Sequence, residues 1–288
     1  MPPVIAVTGA SGRIGGRVAA RLAEQGQAVR LLGRNPARLP RIAGGSIGPA
    51  ASYGNGEAMR AACDGVKTLF LVSAQESQGR VREHMTAVDA AVAAGVERLV
   101  YVSFLGASPD ATFTFARDHW HTEEYIRASS LRYTFLRDSF YLDALARMAG
   151  ADGVIRGPAG AGRVSAVAHD DIADSAVGVL LGEGHDSATY DITGPTAITL
   201  TEAADELTRF AGRPVVYQPE SEDEAYASRS IFGAESWEVA GWVTSYEAIA
   251  SGELAAVSDS VPKLAGHPAQ TFTDFLRANP ESYAHLRP

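Results

Sequence analysis

The sequence predicts an α/β fold in which a doubly wound parallel sheet is followed by a smaller C-terminal α/β lobe. Through the first 150 residues, short apolar runs alternate with segments of helical periodicity. This alternation is typical of parallel strands joined by crossover helices. After residue 150 the alternation loosens, and Gly-rich and acidic segments become frequent. We therefore expect one domain at 1–150 and a smaller substrate-pocket lobe at 151–288, interleaved with the main sheet.

The individual elements follow from these periodicities. A buried strand at 4–7 precedes a helix that runs from Ile14 to a C-cap at Gly26. Residues 36–56 are rich in Gly, Pro and Ala, and no strand is placed there. Further strands are predicted at 28–32, 68–72, 99–103, 133–136, 163–167, 189–192 and 215–217. Further helices are predicted at 57–62, 81–95, 118–129, 140–149, 170–181 and 199–210, and as acidic amphipathic segments over 220–254.

Composition and charge exclude several classes of protein. Residues 1–150 carry a net charge of +4 and residues 151–288 one of −13, which together give −9. The acidic second half argues against a surface that coats nucleic acid, whereas the Arg-rich first 60 residues suit a polyanionic small ligand. The single cysteine, Cys63, excludes an intramolecular disulfide and a cysteine-based metal site. No secretory signal and no apolar run of membrane length is recognised, so we expect a cytoplasmic protein.

A glycine-rich turn directly follows the first strand. The segment 8–15 reads TGASGRIG, and it has Gly9, Gly12 and Gly15 at the spacing G-x-x-G-x-x-G. The first glycine permits a tight turn, the second lets backbone amides approach a pyrophosphate, and the third lets the helix pack closely on the strand. Because the turn joins a buried strand to an amphipathic helix, the sequence predicts a dinucleotide site of the Rossmann type.

The end of the second strand distinguishes the two nicotinamide cofactors. NAD-binding sites usually carry Asp or Glu there, which hydrogen-bonds the ribose 2′-hydroxyl. The segment GRNPAR at 33–38 has no acid, and Arg34 takes about that position. A guanidinium pairs with a 2′-phosphate and stacks on adenine. We therefore predict NADPH as the cofactor, in preference to NADH, with Arg38 or Arg13 as a further contact.

A Tyr-x-x-x-Lys pair, which supplies the proton in common alcohol and ketone dehydrogenases, is absent. The only lysines are Lys67 and Lys263, and the positions four residues before them hold Cys63 and Asp259. Three alternatives follow: the reaction needs no strong protein acid, another residue supplies it, or no reaction occurs.

Several segments together carry a resemblance to a known family. They are TGASGRIGG at 8–16, GRNPAR at 33–38, FLVS at 70–73, AAGVERLVYVSFLGA at 93–107, DHWHTEE at 118–124, LRYTFLRDSFY at 131–141 and SDSVPKLAGHPAQTFTDFL at 258–276. The chain resembles the NmrA-like group of atypical short-chain dehydrogenases, and within it the type-2 NAD(P)H:quinone oxidoreductases and the triphenylmethane reductases.

The resemblance implies a set of site residues. The expected cofactor-binding residues lie in the phosphate loop, at the 2′-phosphate, along the ribose channel and beside the nicotinamide. They are Gly9, Ser11, Gly12, Arg13, Ile14, Gly15, Arg34, Val72, Ser73, Ala74, Ser103 and Phe104. The expected substrate pocket is lined by Leu105, Arg137, Phe140 and Tyr141, of which the two aromatic residues also follow a predicted strand end.

The sequence departs from the family pattern in two places. Ser52, before Tyr53, stands where the family often has Asp after its third strand, which weakens an expected adenine contact. Arg137-Asp138 stands where relatives have Arg-Asn, which alters the charge of the pocket.

His119 is the candidate catalytic residue. By resemblance it falls where plant isoflavone-reductase-like proteins place a lysine and where the quinone reductases have His. Two interpretations stay open: it donates a proton or orients a substrate carbonyl, or it only packs beside the pocket. On a helix His119 shares a face with Glu123, but two ligands are too few for zinc, so no metal is expected.

Two functions from different classes remain open on the sequence. The preferred one is an NADPH-dependent reductase that passes hydride to a quinone-like or other electron-poor conjugated acceptor, such as an aromatic dye. The alternative is a non-catalytic sensor of the NmrA type, which binds the dinucleotide and reports its redox state to a protein partner. No nucleic acid and no membrane is expected as a partner, and formation of a homo-oligomer is left open.

Overall fold

The computed structural model describes residues 4–287. This part of the chain forms eleven β-strands and eleven α-helices. The strands are β1 (Val4–Val7), β2 (Val29–Leu31), β3 (Gly45–Ile47), β4 (Val66–Leu71), β5 (Arg98–Phe104), β6 (Arg132–Asp138), β7 (Val154–Gly157), β8 (Arg163–Val164), β9 (Ala188–Ile192), β10 (Ile198–Thr199) and β11 (Val216–Pro219).

The helices connect and cover these strands. They are α1 (Arg13–Glu24), α2 (Gly56–Ala62), α3 (Arg80–Ala93), α4 (Thr114–Ala128), α5 (Leu142–Met148), α6 (His169–Leu181), α7 (Leu200–Ala211), α8 (Glu222–Arg229), α9 (Ser236–Ala250), α10 (Ser260–Ala265) and α11 (Phe272–Ala278). Three 3₁₀ helices lie at Pro36–Arg38, Ser230–Phe232 and Pro280–Leu286. Within residues 4–287, no helix is both long and apolar enough to cross a membrane.

Seven strands form one parallel sheet in the order β3-β2-β1-β4-β5-β6-β9. The order reverses between β1 and β4, so the chain winds outward in both directions from that point. Open α/β sheets bind ligands in the crevice at the carboxyl ends of the strands beside such a reversal. The topology therefore places the functional site where β1, β4 and β5 end.

Helices cover both faces of this sheet. On one face, α1 buries Ile14, Val18 and Leu22 in a core that α6 shares through Ile172 and Val179. On the other face, α2, α3 and α4 pack against the strands in a separate core. The apolar residues of α1 recur at helical spacing, so one stripe of the helix meets the sheet. This two-sided covering confirms the predicted Rossmann-type fold.

The second half of the chain contributes to both the lobe and the sheet. After β6 the chain forms α5, β7 and β8, then returns to the main sheet as α6 and β9, and finally leaves it at β10. In the lobe, β7 pairs with β11 and β8 pairs with β10, around a third apolar core. This is the path of a lobe interleaved with the sheet, while the division of the chain into domains at residue 150 stays a prediction.

Two predicted segments differ from the structure. The 36–56 segment contains a 3₁₀ helix and β3, a three-residue strand at the edge of the sheet whose Ile47 is 43% exposed. Because β3 buries little apolar surface, its sequence lacks the pattern of a buried strand. The strand predicted at 163–167 is only Arg163–Val164, and beyond it Val167 makes a single bridge to Tyr141.

Candidate active site

A cavity of about 540 Å³ opens at the carboxyl edge of the sheet. Its walls come from the turn after β1, the end of β2, the 51–54 segment and the loop that follows β4. The predicted cofactor-binding residues that line it are Gly9, Ser11, Gly12, Arg34, Val72, Ser73 and Ala74. Residues that are distant in sequence thus meet around one cavity at the reversal point of the sheet.

The turn after β1 has the geometry of an anion cradle. Gly9 has a φ of +58°, a conformation that L side chains rarely adopt. The Gly12 N–H donates to the Gly9 carbonyl at 2.8 Å, and a Cβ at Gly12 would lie 3.1 Å from that oxygen. Gly12 begins α1 without a side-chain cap, and no acid lies in the first turn. The helix N-terminus is therefore suited to the pyrophosphate of a dinucleotide.

Arg34 lines the same cavity as the glycine turn. Its side chain is exposed, and it lines the cavity beside Gly33, Ser52 and Gly54. An adjacent shallow groove shares Ser11 and Gly12 with the cavity and is lined by further arginines: Arg13, Arg17, Arg21 and Arg38. This end of the site is therefore rich in groups that pair with phosphate.

The other predicted loop residues lie beside the cavity. Arg13 lines the adjacent groove and forms an ion pair with Asp143 of α5. Ile14 is buried in the core under α1. A Cβ on Gly15 would lie 2.5 Å from the carbonyl oxygens of both Thr8 and Gly9. Ile14 and Gly15 therefore let α1 pack closely against β1.

Ser103 and Arg137 contact a buried carboxylate instead of lining the cavity. They are register partners on β5 and β6, so their side chains leave the sheet on the same face. There the Ser103 hydroxyl donates to Glu123 at 2.6 Å, and Arg137 donates through Nε at 2.8 Å and Nη2 at 2.6 Å. Both side chains are therefore held by Glu123 of α4, a residue for which the sequence suggested no such role, and their contacts with cofactor and substrate stay predictions.

The apolar residues at the strand ends form an aromatic wall. Phe104 contacts Phe113 and Phe140, with ring centroids 5.1 and 5.5 Å apart, and Phe113 continues to Phe115 at 5.5 Å. Leu105 belongs to the same buried cluster. None of these residues lines the 540 Å³ cavity itself. They extend the site from the end of β5 toward the lobe.

Tyr53 lines the cavity and hydrogen-bonds to residues that follow β1 and β4. Its hydroxyl donates to the Val72 carbonyl at 2.6 Å and lies 2.6 Å from the Thr8 hydroxyl. Burial raises the pKa of Tyr53, so the phenol stays neutral. The sequence singled out only the preceding residue, Ser52, as a departure from the family pattern, and the structural role of Tyr53 was missed.

His119 is buried, and both ring nitrogens have partners. Arg80 Nη2 donates to Nε2 over 3.1 Å, which leaves Nδ1 to donate to the Tyr101 hydroxyl at 3.0 Å. Burial first, and then the charge of Arg80, hold the pKa of His119 well below its ordinary value. The imidazole is therefore neutral near neutral pH, and the geometry favours packing over proton donation. The catalytic role of His119 stays a prediction.

Arg80 and His84 connect this buried network to the cavity wall. Arg80 Nε donates to the Ala74 carbonyl at 2.9 Å, and the Ala74 N–H donates to His84 Nε2 at 2.8 Å. Both residues lie on α3 and are at most 3% exposed. Their hydrogen bonds to Ala74 hold the loop after β4 from the side of α3. Neither lies in a recognised motif, so neither was found from the sequence.

Asp138 and Tyr141 form a hydrogen-bonded pair at the end of β6. The Tyr141 and Asp138 side-chain oxygens lie 3.0 Å apart, and Asp138 is 2% exposed. Tyr141 also contacts the ring of His169, with centroids 4.3 Å apart. The pair therefore lies next to Phe104, which is the register partner of Asp138 on β5.

Comparisons with known proteins decide the family. A family model described as NAD(P)H-binding matches residues 9–183. The chain belongs to this NAD(P)H-binding family. Quinone oxidoreductase 2 of Escherichia coli (strain K12) is 33% identical over 289 residues, which cover 98% of each chain.

Solved structures of NAD(P)H-binding proteins agree with this assignment. The NADPH-dependent quinone oxidoreductase from Escherichia coli, complexed with NADPH, gives a TM-score of 0.88 at 32% identity, over 95% of this chain and 99% of that one. Citrobacter sp. triphenylmethane reductase, complexed with NADP(H), gives 0.81 at 29% identity, over 96% and 99%. These findings confirm the predicted fold class and the predicted kinship with both groups of reductases.

In the described part of the chain, residues 4–287, both lysines pair with acidic side chains at the surface. Lys67 pairs with Glu97 at 2.6 Å and Lys263 with Asp259 at 2.8 Å, and all four side chains are at least half exposed. Neither lysine lines the cavity. Within residues 4–287, no three His, Cys, Asp or Glu side chains group as a metal site would require.

Proposed function

We propose that the protein is an NADPH-dependent reductase that delivers hydride to a quinone-like or other electron-poor conjugated acceptor. The observation that carries the proposal is that an uncapped glycine turn and Arg34 line one cavity at the carboxyl edge of the sheet. The family match and the two reductases of similar structure support it.

The residues of the cavity fit this cofactor. The amides of the turn after β1 would hold the pyrophosphate, and Gly12 leaves the space that its approach needs. Arg34 would pair with the 2′-phosphate. The loop of Val72, Ser73 and Ala74 would flank the ribose, and Arg80 and His84 hold that loop in place. When bound, the reduced nicotinamide supplies the hydride.

The aromatic wall suits a flat, conjugated acceptor. Phe104, Phe113 and Phe140 pack on one another, and Phe140, which is only partly buried, would stack on an aromatic acceptor. An electron-poor acceptor takes hydride into a delocalised product, so it needs less acid assistance than a simple ketone. This agrees with the distance of both lysines from the cavity.

Steady-state kinetics test the proposal and separate it from the sensor alternative. Purified protein is mixed with NADPH and menadione, and the loss of reduced nicotinamide absorbance is followed, with Gly12→Val as the negative control. We expect saturable turnover that the control lacks. If the parent protein binds NADP and NADPH with similar affinity and consumes no NADPH with quinones or dyes, the reductase proposal is wrong and the sensor function is favoured.

A further inference from the structure

The reductase function proposed above leaves open where a reduced quinone obtains its proton. Both ring nitrogens of His119 are occupied inside the protein, by Arg80 and Tyr101. Lys67 and Lys263 lie on the surface. A proton source, if the protein provides one, must lie elsewhere at the carboxyl ends of the strands.

Tyr141 and Asp138 are placed to act there. Resting on the proposed function, we propose that Tyr141 donates the proton that the reduced acceptor takes up, and that Asp138 returns a proton to Tyr141. Their side-chain oxygens are 3.0 Å apart, which is a direct hydrogen bond. Tyr141 is partly exposed whereas Asp138 is 2% exposed, so of the two residues Tyr141 is the one that a ligand can reach.

The position of the pair follows from the sheet. Asp138 ends β6 in register with Phe104, the first residue of the aromatic wall. Tyr141 packs against the same apolar core as Val72, which lines the cofactor cavity. The pair therefore lies at the carboxyl edge of the sheet beside the aromatic wall, and the proposal places the acceptor there.

The surroundings favour the protonated form of the Asp138 carboxyl group. Burial raises the pKa of Asp138 well above its ordinary value, and the Tyr141 bond and the charge of Arg80 offset only part of this rise. Burial and the Asp138 charge likewise raise the pKa of Tyr141, with Glu76 adding to the rise and Arg80 opposing it.

The imidazole against Tyr141 does not compete for this proton. Burial and the charge of Arg13 lower the pKa of His169 to about 4, so its ring is neutral near neutral pH. In the structure the Tyr141 hydroxyl donates to Asp138. When Asp138 holds its proton, the proposed step has this bond reversed, so that the carboxyl O–H donates to Tyr141 and the phenol O–H is free to donate to a ligand.

The proton balance of the step is complete. After the acceptor has gained two electrons as hydride, an O–H bond forms on its oxyanion while the Tyr141 O–H bond breaks. A new O–H bond forms on Tyr141 while the Asp138 O–H bond breaks. The net acid is Asp138, which is stronger than a phenol, and its carboxylate regains a proton from water. Asp138 thus positions Tyr141 and returns a proton to it, and Tyr141 is the residue that touches the acceptor.

Two acceptors of different chemistry test the inference. A quinone must gain both hydride and a proton, whereas a cationic triphenylmethane dye such as malachite green becomes its neutral product by gaining hydride alone. We expect Asp138→Asn and Tyr141→Phe each to lower kcat with menadione by roughly tenfold to a hundredfold, the lower part of general acid effects, because the quinone product delocalises charge.

The two losses should overlap because the residues act in series. The double variant should lose no more than Tyr141→Phe alone, and the loss should be confined to the quinone. In the parent, kcat with menadione should fall as pH rises through the pKa of Asp138 and should show a solvent deuterium effect, and both features should vanish in Asp138→Asn. The exposed Asp259→Asn is the matched control.

A readout that needs no turnover makes the test independent of the reductase proposal. Difference infrared spectroscopy should show the C=O stretch of a protonated carboxylic acid near neutral pH in the parent, lost in Asp138→Asn and kept in Asp259→Asn. A parent without that band, or an Asp138→Asn variant with the parent's kcat and pH profile on menadione, would overturn the relay and leave the reductase proposal intact. A parent that oxidises no NADPH with any acceptor would overturn both.

Discussion

Replacing Arg34 by alanine should weaken the binding of NADPH while leaving the binding of NADH little changed. Arg34 lines the same cavity as the glycine turn, and the end of β2 offers no acid to a ribose 2′-hydroxyl. A charge-assisted hydrogen bond contributes about 1.5–3 kcal/mol. Because Arg34 is exposed, water screens the contact and binding must order a long side chain, which favours the lower half of that range.

The expected loss is therefore about 1.5–2 kcal/mol, or roughly 10- to 30-fold in the dissociation constant of NADPH. Fluorescence or calorimetric titration with each cofactor measures it. The preference of the parent for NADPH should also weaken as salt is added, since the contact is electrostatic.

The control is Arg41→Ala, which removes the same charge from an exposed site outside the cavity. An Arg34→Ala variant that loses affinity for both cofactors equally, or for neither, would refute the assignment of Arg34 to the 2′-phosphate. An equal loss in Arg41→Ala would show that overall charge, and not the site, sets the affinity.

The remaining predictions concern the glycine turn, the buried histidine and the pH dependence of stability. Gly12→Val should abolish NADPH binding in a titration at an unchanged melting temperature. Gly15→Ala should instead lower the melting temperature, at a cost of about 1–3 kcal/mol, because its Cβ would lie 2.5 Å from two backbone oxygens. The reverse pattern would contradict this division of roles between the two glycines. His119→Ala should destabilise the fold and leave the pH profile of kcat as in the parent, because the ring is buried and paired; a profile that loses its pH dependence would assign the proton to His119 instead. Burial raises the pKa of Asp138 above its value in the unfolded chain, so the stability that the protonated carboxyl group contributes is lost as pH rises above about 4. The melting temperature of Asp138→Asn should therefore exceed that of the parent by an amount that grows from pH 4 to pH 8. A constant difference would contradict the raised pKa.

The parts of the fold that sequence predicts well are those with strong local signals. The apolar runs of β4, β5 and β6 and the glycine turn each carry their pattern within a few residues, and the structure has them where expected. By contrast, β3 is short and largely exposed, so its position depends on pairing with β2 rather than on its own composition.

At the site, too, local sequence patterns do not predict the contacts that depend on the tertiary fold. Helical spacing puts His119 and Glu123 on one face of α4, and both are buried as that spacing suggests. What the spacing cannot tell is that strand register brings Ser103 and Arg137 onto Glu123. Likewise, Arg80 and Tyr53 act on Ala74 and Val72 across elements that only the tertiary fold brings together.

The pairing of β6 with β9 has a consequence for shortened versions of this chain. The family match ends at residue 183, whereas β9 begins at Ala188 and pairs with β6 from Thr134 to Asp138. A fragment cut at the end of the match would keep the glycine turn but leave one side of β6 without hydrogen-bond partners. An unpaired strand edge is a template for another chain. Such a fragment should therefore associate with copies of itself, and a fragment meant to isolate cofactor binding needs to extend past Ile192.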